Sequence, residues 1–424
     1  MHSIGLIKKH YKYLFYLCMH DFLEVFYKLV SKKIHIKKSL FKNIFLTMDY
    51  SKIPSPCYVL DEVAFRKNLE LIRNVKEKSG AEIILAFKAF ALWKVFPILK
   101  EYDLNHAAAS SLAESKLAFE EMGNKAHTYS PAFTEKEFSE ISSYSNYITF
   151  NSLRQFEQFH PQAAKKGISC GLRINPEYSQ VETALYNPCS AGSRLGITAD
   201  SLGDKLPEGV EGLHFHTLCE STSYELEKTL EVVIQKFGKF FPQIKWINMG
   251  GGHLMTKKGY NTEHLISLIR SFKSAYPHLE VILEPGSAFA WQTGVLVSSV
   301  IDIVENNGIK TAMLDVSFSC HMPDCLEMPY KPVITNACDE QAGKPTYRMG
   351  GNSCLAGDFM GNWSFDKELK IGDRIIFEDM IHYTMVKTTM FNGVSHPAIG
   401  IWSKDNEFKL IRQFGYEDYK NRLS

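Results

Sequence analysis

Residues 83–89 read IILAFKA, an apolar run interrupted by Lys88 and too short to span a membrane. A run of this length is typical of a strand buried on both faces. Comparable runs recur along the chain, separated by segments such as SSLAESKLAFEEMG whose apolar residues have helical spacing. This alternation predicts a (β/α)8 barrel; a doubly wound sheet fits nearly as well, but the strand count favours the barrel. The predicted strands are IILAFKA (83–89), HAAAS (106–110), AHTYS (126–130), YITFN (147–151), CGLRIN (170–175), GLHFHT (212–217), WINMGGG (246–252) and VILEPGS (281–287).

The pattern changes after residue 294. The segments GVLVSSVIDIVE, TAMLDVSF, RIIFEDM and NEFKLIRQF read as strands separated by turns, with little helical periodicity. Because the chain is too long for one ordinary core, we predict two domains: a barrel over residues 48–294 and a mostly-β domain over residues 295–424. Ahead of the first barrel strand, PSPCYVLDEVAFRKNLELIRNV predicts a strand and then a helix with Asp61 as its N-cap.

The formal net charge of +1 conceals an uneven distribution of charge. Residues 1–47 carry nine lysines against two acidic residues, which leaves −6 for the rest of the chain and no sign of nucleic-acid binding there. This basic extension reads either as an amphipathic helix at a membrane surface or as a segment upstream of a true start at Met48. We favour the second interpretation, because MDYSKIPSPCYVLD already opens a folded domain, and we expect no membrane association.

The nine cysteines are scattered and lack the paired spacing of a zinc site. Free thiols suit a reducing compartment, so we predict a cytoplasmic protein. The segment CHMPDC at residues 320–325 comes nearest to a metal motif, but a single C-x4-C with one histidine is weak evidence. We therefore predict no metal site.

Polar residues stand at the carboxyl ends of the predicted strands, which is the end of a barrel where active sites are built. Lys88 is the most informative of them, because burying an ammonium group is costly and lowers its pKa. Its side chain either extends to water or serves as a nucleophile or Schiff-base amine, and the convergence on one rim favours the second. The rim residues are Lys88, Ser110, Arg173, His216, Gly250–Gly252 and Glu284.

The residue types on this rim suggest a particular cofactor. Gly250–Gly252 allow backbone N–H groups to approach a phosphate, although three glycines form a plain tight turn equally well. Glu284 precedes Pro-Gly and has the charge to keep a pyridine nitrogen protonated. His216 has a flat ring for stacking, although a lone histidine is more often structural. Together with Lys88, these residues predict pyridoxal 5'-phosphate (PLP).

The motifs AFKAFA, GLHFHT, NMGGGH, LEPGS and GNSCLAGD occur in an order that resembles the alanine-racemase-like barrel family of PLP-dependent basic amino acid decarboxylases. The resemblance covers residues 48–424. Three longer motifs, SFSCHMPDCLEMPYKP, MGGNSCLAGDFMG and FEDMIHYTMVKTTMFNGV, resemble the members of this family that act on carboxylated polyamines. The resemblance thus implies a PLP-dependent carboxy-lyase of polyamine biosynthesis, which releases a polyamine such as norspermidine or spermidine.

The resemblance also implies roles for individual residues. Lys88 would carry PLP, and His216 would stack on the cofactor ring during catalysis. Glu284 would pair with the pyridine nitrogen. Gly250–Gly252 would hold the phosphate, with Tyr383 of MIHYT touching it as well.

Cys354 of GNSCLAGD matches a cysteine that family members donate to the partner subunit's site as a general acid. The resemblance therefore implies a head-to-tail homodimer whose β domains contribute to both sites. Two positions depart from the family pattern: many relatives have an acidic residue at Leu355 and an arginine at Ser287. The first departure argues against the substrates that this acid holds, and the second leaves the phosphate with one cation fewer. Asp358 is retained.

A polyamine tail carries ammonium groups, so its binding site should offer carboxylates and aromatic faces. In PDCLEMPY, Asp324 and Glu327 are the candidates, and Trp291 of AWQTG is a candidate wall. Asp358 completes the predicted substrate-binding residues. Asp324 and Glu327 also fit a role as ordinary loop charges, and Trp291 fits ordinary core packing.

Three other functions stay open on the sequence alone. A related decarboxylase acting on diaminopimelate, ornithine or arginine is the main alternative. A racemase of the same fold would need a base on the opposite face of the cofactor, for which Cys354 is a poorer match. A PLP-binding homologue without catalysis would have no need for both Lys88 and Cys354.

Overall fold

The structure, a computed structural model, describes residues 48–424, so the predictions for residues 1–47 lie outside the described part. Strand β1 (Cys57–Asp61) and helix α1 (Glu62–Ser79) come first. The Asp61 carboxylate accepts hydrogen bonds from the backbone N–H groups of Val63 and Ala64. The predicted N-cap is therefore confirmed.

A parallel sheet of nine short strands follows and forms the barrel. From β3 to β10 each strand pairs with the next strand in the chain, and β2 pairs with β10. The strands are β2 (Glu82–Ile83), β3 (Leu85–Ala86), β4 (Ala107–Ala109), β5 (Ala126–Tyr129), β6 (Ser145–Phe150), β7 (Ser169–Arg173), β8 (Gly212–His214), β9 (Trp246–Asn248) and β10 (Glu280–Leu283).

The sheet has nine strands instead of eight because the first predicted strand is interrupted and contributes to both β2 and β3. Between β2 and β3, the backbone N–H of Ile84 donates to the carbonyl of Leu283 at 2.9 Å, and that of Leu85 donates to the carbonyl of His106 at 3.0 Å. One stretch of chain therefore pairs with the last strand and then with the second, which closes the ring. The barrel predicted from eight strands is confirmed, with strands shorter than the apolar runs suggested.

The interior of the barrel is filled around one large ring. Trp246 packs with Ile84 and Ile282, and its indole N–H donates to the hydroxyl of Ser169 at 2.9 Å. A Cβ atom on Gly212 would lie 2.0 Å from the Trp246 ring, so this strand position accepts only glycine. The Trp246 ring thus fills the space beside the glycines of the neighbouring strands, which keeps the interior closely packed.

Helices cover the outside of the barrel, as the helical spacing between the strands predicts. The helix of residues 223–237 begins with a capping box formed by Thr222 and Glu225, and it buries one stripe of apolar residues. After α1, the α-helices are α2 (Phe96–Lys100), α3 (Leu112–Leu117), α4 (Glu135–Ile141), α5 (Leu153–Lys165), α6 (Ala199–Leu202), α7 (Ser223–Phe237), α8 (Thr262–Ala275), α9 (Ser287–Ala290), α10 (Phe318–His321), α11 (Pro323–Glu327) and α12 (Tyr416–Lys420). Short 3-10 segments span Tyr50–Lys52, Trp93–Val95, Ala184–Tyr186, Gly238–Gln243, Met385–Lys387 and Phe391–Gly393, and a π-helical turn spans Ala118–Met122.

A second, mixed sheet contains the remaining strands. Its order is β13–β15–β14–β12–β11–β1–β17–β18, with β16 paired to β11. The strands are β11 (Gly294–Asn306), β12 (Ile309–Leu314), β13 (Ala337–Asp339), β14 (Thr346–Gly350), β15 (Phe359–Phe365), β16 (Arg374–Glu378), β17 (Ala398–Trp402) and β18 (Phe408–Arg412).

Strand β1 does not belong to the barrel, although the predicted barrel domain includes its residues. It pairs antiparallel with β11 and parallel with β17. The local sequence CYVLD predicts a buried strand but carries no information about which sheet receives it, because both sheets bury such strands. From β1 onward the chain therefore passes from the second sheet through the barrel and back to the second sheet.

Some features of the described residues bear on the type of protein. The eight described cysteines are all free thiols. Within residues 48–424, no helix has the length and hydropathy needed to cross a membrane. The same residues contain no group of three or more histidine, cysteine or acidic side chains arranged to hold a metal ion.

Candidate active site

The turns after the barrel strands bring the predicted rim residues together. Lys88 lies two residues after β3, His216 two residues after β8, and Glu284 directly after β10. The Nζ atom of Lys88 lies 2.9 Å from Nε2 of His216. The carbonyl of Gly250 accepts a hydrogen bond from the backbone N–H of Glu284 at 2.8 Å, which joins two neighbouring turns.

Lys88 lies at the open mouth of the site, with dense protein around the rest of its side chain. This burial and the positive charge of Arg173 lower the pKa of Lys88, and the Glu284 carboxylate only partly opposes them. Arg173 is itself buried and donates to the backbone carbonyl of His216 at 3.2 Å. The lysine is therefore held in surroundings that favour a neutral amine.

The hydrogen bonds of His216 support the same conclusion. The backbone N–H of Gly251 donates to Nδ1 of His216 at 3.1 Å. Burial, with Lys88 and Arg173 nearby, lowers the pKa of His216 well below its ordinary value, so the ring is neutral. Since Nδ1 accepts, the ring proton lies on Nε2 and faces Lys88. An Nε2–H group needs an acceptor at this distance, and only an uncharged lysine amine supplies one.

Glu284 is kept ionised by its neighbours. The side-chain amide of Asn248 donates to Oε1 of Glu284 at 2.6 Å, and Nε2 of His214 lies 3.6 Å from Oε2. Burial alone would raise the pKa of Glu284, but His214 and Asn248 stabilise the charged form and the pKa falls to about 2. Burial lowers the pKa of His214 below its ordinary value. A fixed negative charge thus lies beneath the rim at neutral pH.

The glycine turn is tightly packed against two neighbouring loops. Gly250 and Gly252 have φ angles of 71° and 90°, in the left-handed region that favours glycine. A Cβ atom on Gly251 would lie 2.5 Å from the carbonyl oxygen of Glu284, and one on Gly252 would lie 2.3 Å from that of Leu218. The turn therefore excludes side chains, and its backbone forms the wall of the site beside His216.

A segment after the strand β16 reaches the rim of the barrel. The backbone N–H of Tyr383 donates to the carbonyl of Ala89, next to Lys88, at 2.8 Å. Burial raises the pKa of the Tyr383 phenol, and Cys219 and Asp324 add to the effect, so the phenol keeps its proton. Tyr383 is thus a hydrogen-bond donor on the rim, as its predicted phosphate contact requires.

The two predicted substrate carboxylates have a partner within the chain. The Nζ atom of Lys387 lies 2.8 Å from Oδ1 of Asp324 and bonds to Oε2 of Glu327 as well. Asp324 is buried, while Glu327 is about half exposed. The charge interactions of Tyr383 include Asp324, which places the carboxylate pair on the same side of the site.

Trp291 lies beside this region. Its ring stacks on His382 with 5.5 Å between centroids, and Nζ of Lys257 lies 5.4 Å from its centroid. His382 precedes Tyr383 in the chain, so Trp291 contacts the segment that reaches the rim. The indole nitrogen of Trp291 is buried and has no hydrogen-bond partner among the described residues.

Cys354 and Asp358 belong to a separate loop. The Asp358 carboxylate is buried and accepts hydrogen bonds from the backbone N–H groups of Ser319 and Ser353 and from the Ser353 hydroxyl at 2.6 Å. Cys354 is exposed, and its backbone N–H donates to the side chain of Asn392 at 2.9 Å. Asp358 thus shapes the loop that presents Cys354. Over residues 48–424, no hydrogen bond or ion pair links Cys354 to Lys88.

The rim fits the chemistry of PLP. Lys88 offers an amine whose lowered pKa favours the nucleophilic neutral form, and Glu284 offers a buried negative charge for a protonated ring nitrogen. The glycine turn keeps side chains out of this wall of the site, with the N–H groups of Gly250 and Gly251 donating to Asn248 and His216. His216 presents a neutral ring next to the lysine. The fold and this set of donors define a PLP-type barrel site.

Comparisons with known proteins agree with this geometry. A family model described as "Pyridoxal-dependent decarboxylase, C-terminal sheet domain" matches residues 34–381. The chain belongs to this family of pyridoxal-dependent decarboxylases. Its family membership, its fold class and PLP as its cofactor are therefore confirmed.

Two curated relatives and one solved structure are similar over nearly their full lengths. A carboxyaminopropylagmatine decarboxylase of Synechocystis sp. is 51% identical over 90% of this chain and 98% of its own length. A carboxynorspermidine/carboxyspermidine decarboxylase of Campylobacter jejuni is 48% identical over 88% of this chain and 100% of its own length. The crystal structure of a C. jejuni carboxynorspermidine decarboxylase with norspermidine superposes with a TM-score of 0.81, at 46% identity over 87% of this chain and 100% of that one.

Sequence reasoning missed two residues of this site. Asn248 bonds to both Glu284 and Gly250, and its place at the end of β9 was a signal that could have identified it. Lys387 has no such signal, because a lysine in a loop is usually solvated. Its partners lie 60 and 63 residues earlier in the chain.

Proposed function

We propose that this chain is a PLP-dependent carboxy-lyase that decarboxylates carboxynorspermidine or carboxyspermidine to norspermidine or spermidine. The observation that carries the proposal is the rim on which Lys88, whose pKa is lowered by burial, lies against His216 and near the ionised Glu284. The C. jejuni relatives, whose names specify these substrates, support the substrate class. Two ammonium-binding carboxylates suit a polyamine tail.

Carboxyaminopropylagmatine is a second candidate substrate, because the 51% identical Synechocystis relative is named for it. Both candidates share the carboxylated amino acid end, at which the reaction takes place. They differ at the far end, which is an ammonium group in the first and a guanidinium group in an agmatine derivative. The choice between them therefore depends on residues remote from Lys88.

Different residues of the chain would carry out different parts of the reaction. When bound, PLP supplies an electron-accepting ring that takes up charge from the α-carbon as carbon dioxide leaves. Lys88 would hold the cofactor through its amine, and Glu284 would supply negative charge to its ring nitrogen. His216 would contact the ring, and Tyr383 and the glycine turn would hold the phosphate. Each group is positioned before the substrate arrives, so little reorganisation is needed.

We also propose a homodimer in which Cys354 of one subunit protonates the α-carbon in the site of the other. Cys354 is exposed, and no polar contact within the described chain brings it to Lys88. The surrounding loops expose Leu355, Phe359 and Phe391 by 49%, 42% and 50%. Apolar side chains exposed together are typical of an interface. We place the enzyme in the cytoplasm, where a reducing environment suits its eight free described cysteines.

The assignment is tested by measuring CO2 release from PLP-loaded protein. The substrates are carboxynorspermidine, carboxyspermidine, carboxyaminopropylagmatine, ornithine and meso-diaminopimelate, each given to the full chain and to a form starting at Met48. We expect release from the carboxylated polyamines and little from the two amino acids. A preference for ornithine or diaminopimelate would refute the substrate assignment, and a loaded but inactive protein would favour a binding function.

Mixing two inactive variants tests the shared site. Lys88→Ala and Cys354→Ala should each lose most activity alone, because each damages a different half of both sites. In a mixed dimer one site combines an intact Lys88 with an intact Cys354, so random mixing should restore about a quarter of wild-type turnover. CO2 release after mixing and re-equilibration provides the measurement. No recovery, with mixed dimers demonstrated by mass spectrometry, would place Cys354 and Lys88 in the same subunit's site.

A further inference from the structure

The ion pairs of Lys387 occupy the carboxylates that a substrate ammonium would need. Its Nζ atom lies 2.8 Å from Asp324 and also bonds to Glu327. Both carboxylates belong to the short helix α11. Burial works against the charge on Lys387, but the hydrogen bonds to the two carboxylates outweigh it and raise the pKa above its ordinary value. Lys387 is therefore held in its charged form.

The cluster formed by Lys387, Asp324 and Glu327 can exchange its lysine ammonium for another cation. Lys387 contacts both carboxylates, so neither is unpaired. Two carboxylates and one ammonium carry a net charge of −1, so the cluster still attracts a cation. Lys387 and Glu327 keep about a third and a half of their side-chain surface exposed, so the lysine has room to withdraw into water. Its four-carbon stem lets the ammonium move without moving the backbone.

The cluster also faces the reacting end of the site. The phenol of Tyr186 interacts electrostatically with Lys387, Asp324 and Cys219, and Cys219 in turn interacts with Lys88. The backbone N–H of Lys387 donates to the carbonyl of Tyr383 at 3.1 Å. The hydroxyl of Tyr186 is buried without a hydrogen-bond partner among residues 48–424, so it is available to a ligand.

We propose that Lys387 is a specificity-determining residue: its ammonium group holds Asp324 and Glu327 in the free enzyme, and an ammonium group of the substrate displaces it. This inference rests on the proposed function, because it assumes a polyamine tail. The exchange keeps both carboxylates paired at every stage. A ligand whose tail lacks a cation cannot displace the lysine without leaving a buried carboxylate unpaired, which is costly. Lys387 thus selects for cationic tails and weakens the binding of all ligands that must compete with it.

Removal of the internal competitor should tighten binding. The variants are Lys387→Met, which retains the length of the stem without its charge, and Lys387→Arg, which retains the charge. Lys310→Met is the matched control, because Lys310 pairs with Glu368 at 3.3 Å elsewhere in the β domain and its loss changes the net charge equally. Norspermidine is the probe, and calorimetry on the PLP-loaded enzyme measures its dissociation constant.

We expect Lys387→Met to bind norspermidine about three- to tenfold more tightly, the range for partly exposed ion pairs. KM for the carboxylated substrate should fall by a similar factor with kcat unchanged, because the competition is the same in the ground state and the transition state. Lys387→Arg and Lys310→Met should remain within a factor of two of wild type. Binding by Lys387→Met that is equal to or weaker than wild type would overturn the proposal and assign Lys387 a structural role.

A measurement on the unaltered enzyme makes the test independent of whether the variants fold. Acetic anhydride modifies free lysine amines, and peptide mass spectrometry reports the extent at each lysine. Because the amines of norspermidine also consume the reagent, acetylation of Lys387 is measured relative to that of Lys310, and this ratio should increase when norspermidine is bound. An unchanged or lower reactivity would refute the displacement alone. If wild-type enzyme neither binds norspermidine nor releases CO2 from the carboxylated polyamines, the proposed function fails and the displacement fails with it.

Discussion

Replacing Lys88 with alanine is expected to abolish decarboxylation. In the proposed function Lys88 provides the amine that holds the cofactor, and no other lysine among the described residues makes a polar contact with His216. We expect turnover to fall by roughly 10³- to 10⁶-fold, the scale seen when a covalently acting group is removed. The fold should persist, because the side chain lies at the open mouth of the barrel and contributes little to the core.

Two readouts separate loss of chemistry from loss of structure. Borohydride reduction of the loaded wild-type enzyme should leave the cofactor attached to the peptide that contains Lys88, and the variant should carry no such label. Lys94→Ala is the control, because Lys94 is exposed six residues later and lies over the ring of Trp93 at 3.9 Å. Attachment at another lysine, or activity retained in the variant, would remove Lys88 from this role.

Glu284→Gln should produce the second large loss. The substitution preserves shape but removes the negative charge that His214 and Asn248 stabilise. In the proposed function, that charge is what would keep the cofactor's ring nitrogen protonated. We expect kcat to fall by roughly 10²- to 10³-fold, the effect typical of losing one preorganised electrostatic contact. KM should change little, because the side-chain contacts of Glu284 are with Asn248 and His214 and not with Asp324 or Glu327, the proposed tail site.

The charge at Glu284 should also have no titration in the working range. The pKa of Glu284 is about 2 in the folded protein, below its ordinary value of 4.5, so the carboxylate is ionised at neutral pH. The stability that its charge contributes is complete above pH 4.5 and is lost as the pH falls from 4.5 toward 2. Glu280→Gln is the matched control on the same strand, with a carboxylate exposed to solvent. Steady-state kinetics and the absorbance of the bound cofactor provide the measurement. A kcat within threefold of wild type would show that the ring nitrogen does not depend on Glu284.

The sequence by itself determined the barrel and the rim. Strand periodicity and strand count are local properties, and a barrel places the ends of its strands on one face whatever the details of packing. For this reason Lys88, His216 and Glu284 could be predicted to converge. The glycine turn was also a local signal, since positive φ angles at Gly250 and Gly252 allow few other residues.

Only the tertiary structure decided how distant segments meet. It places β1 between β11 and β17 in the second sheet, although both of these strands follow β1 by more than 200 residues in the sequence. It supplies Asn248 and His214 to the Glu284 carboxylate, and it places Lys387 between Asp324 and Glu327. Hydrogen bonds and ion pairs of this kind depend on distances across the fold, and a pattern of apolar residues along the chain contains no information about them.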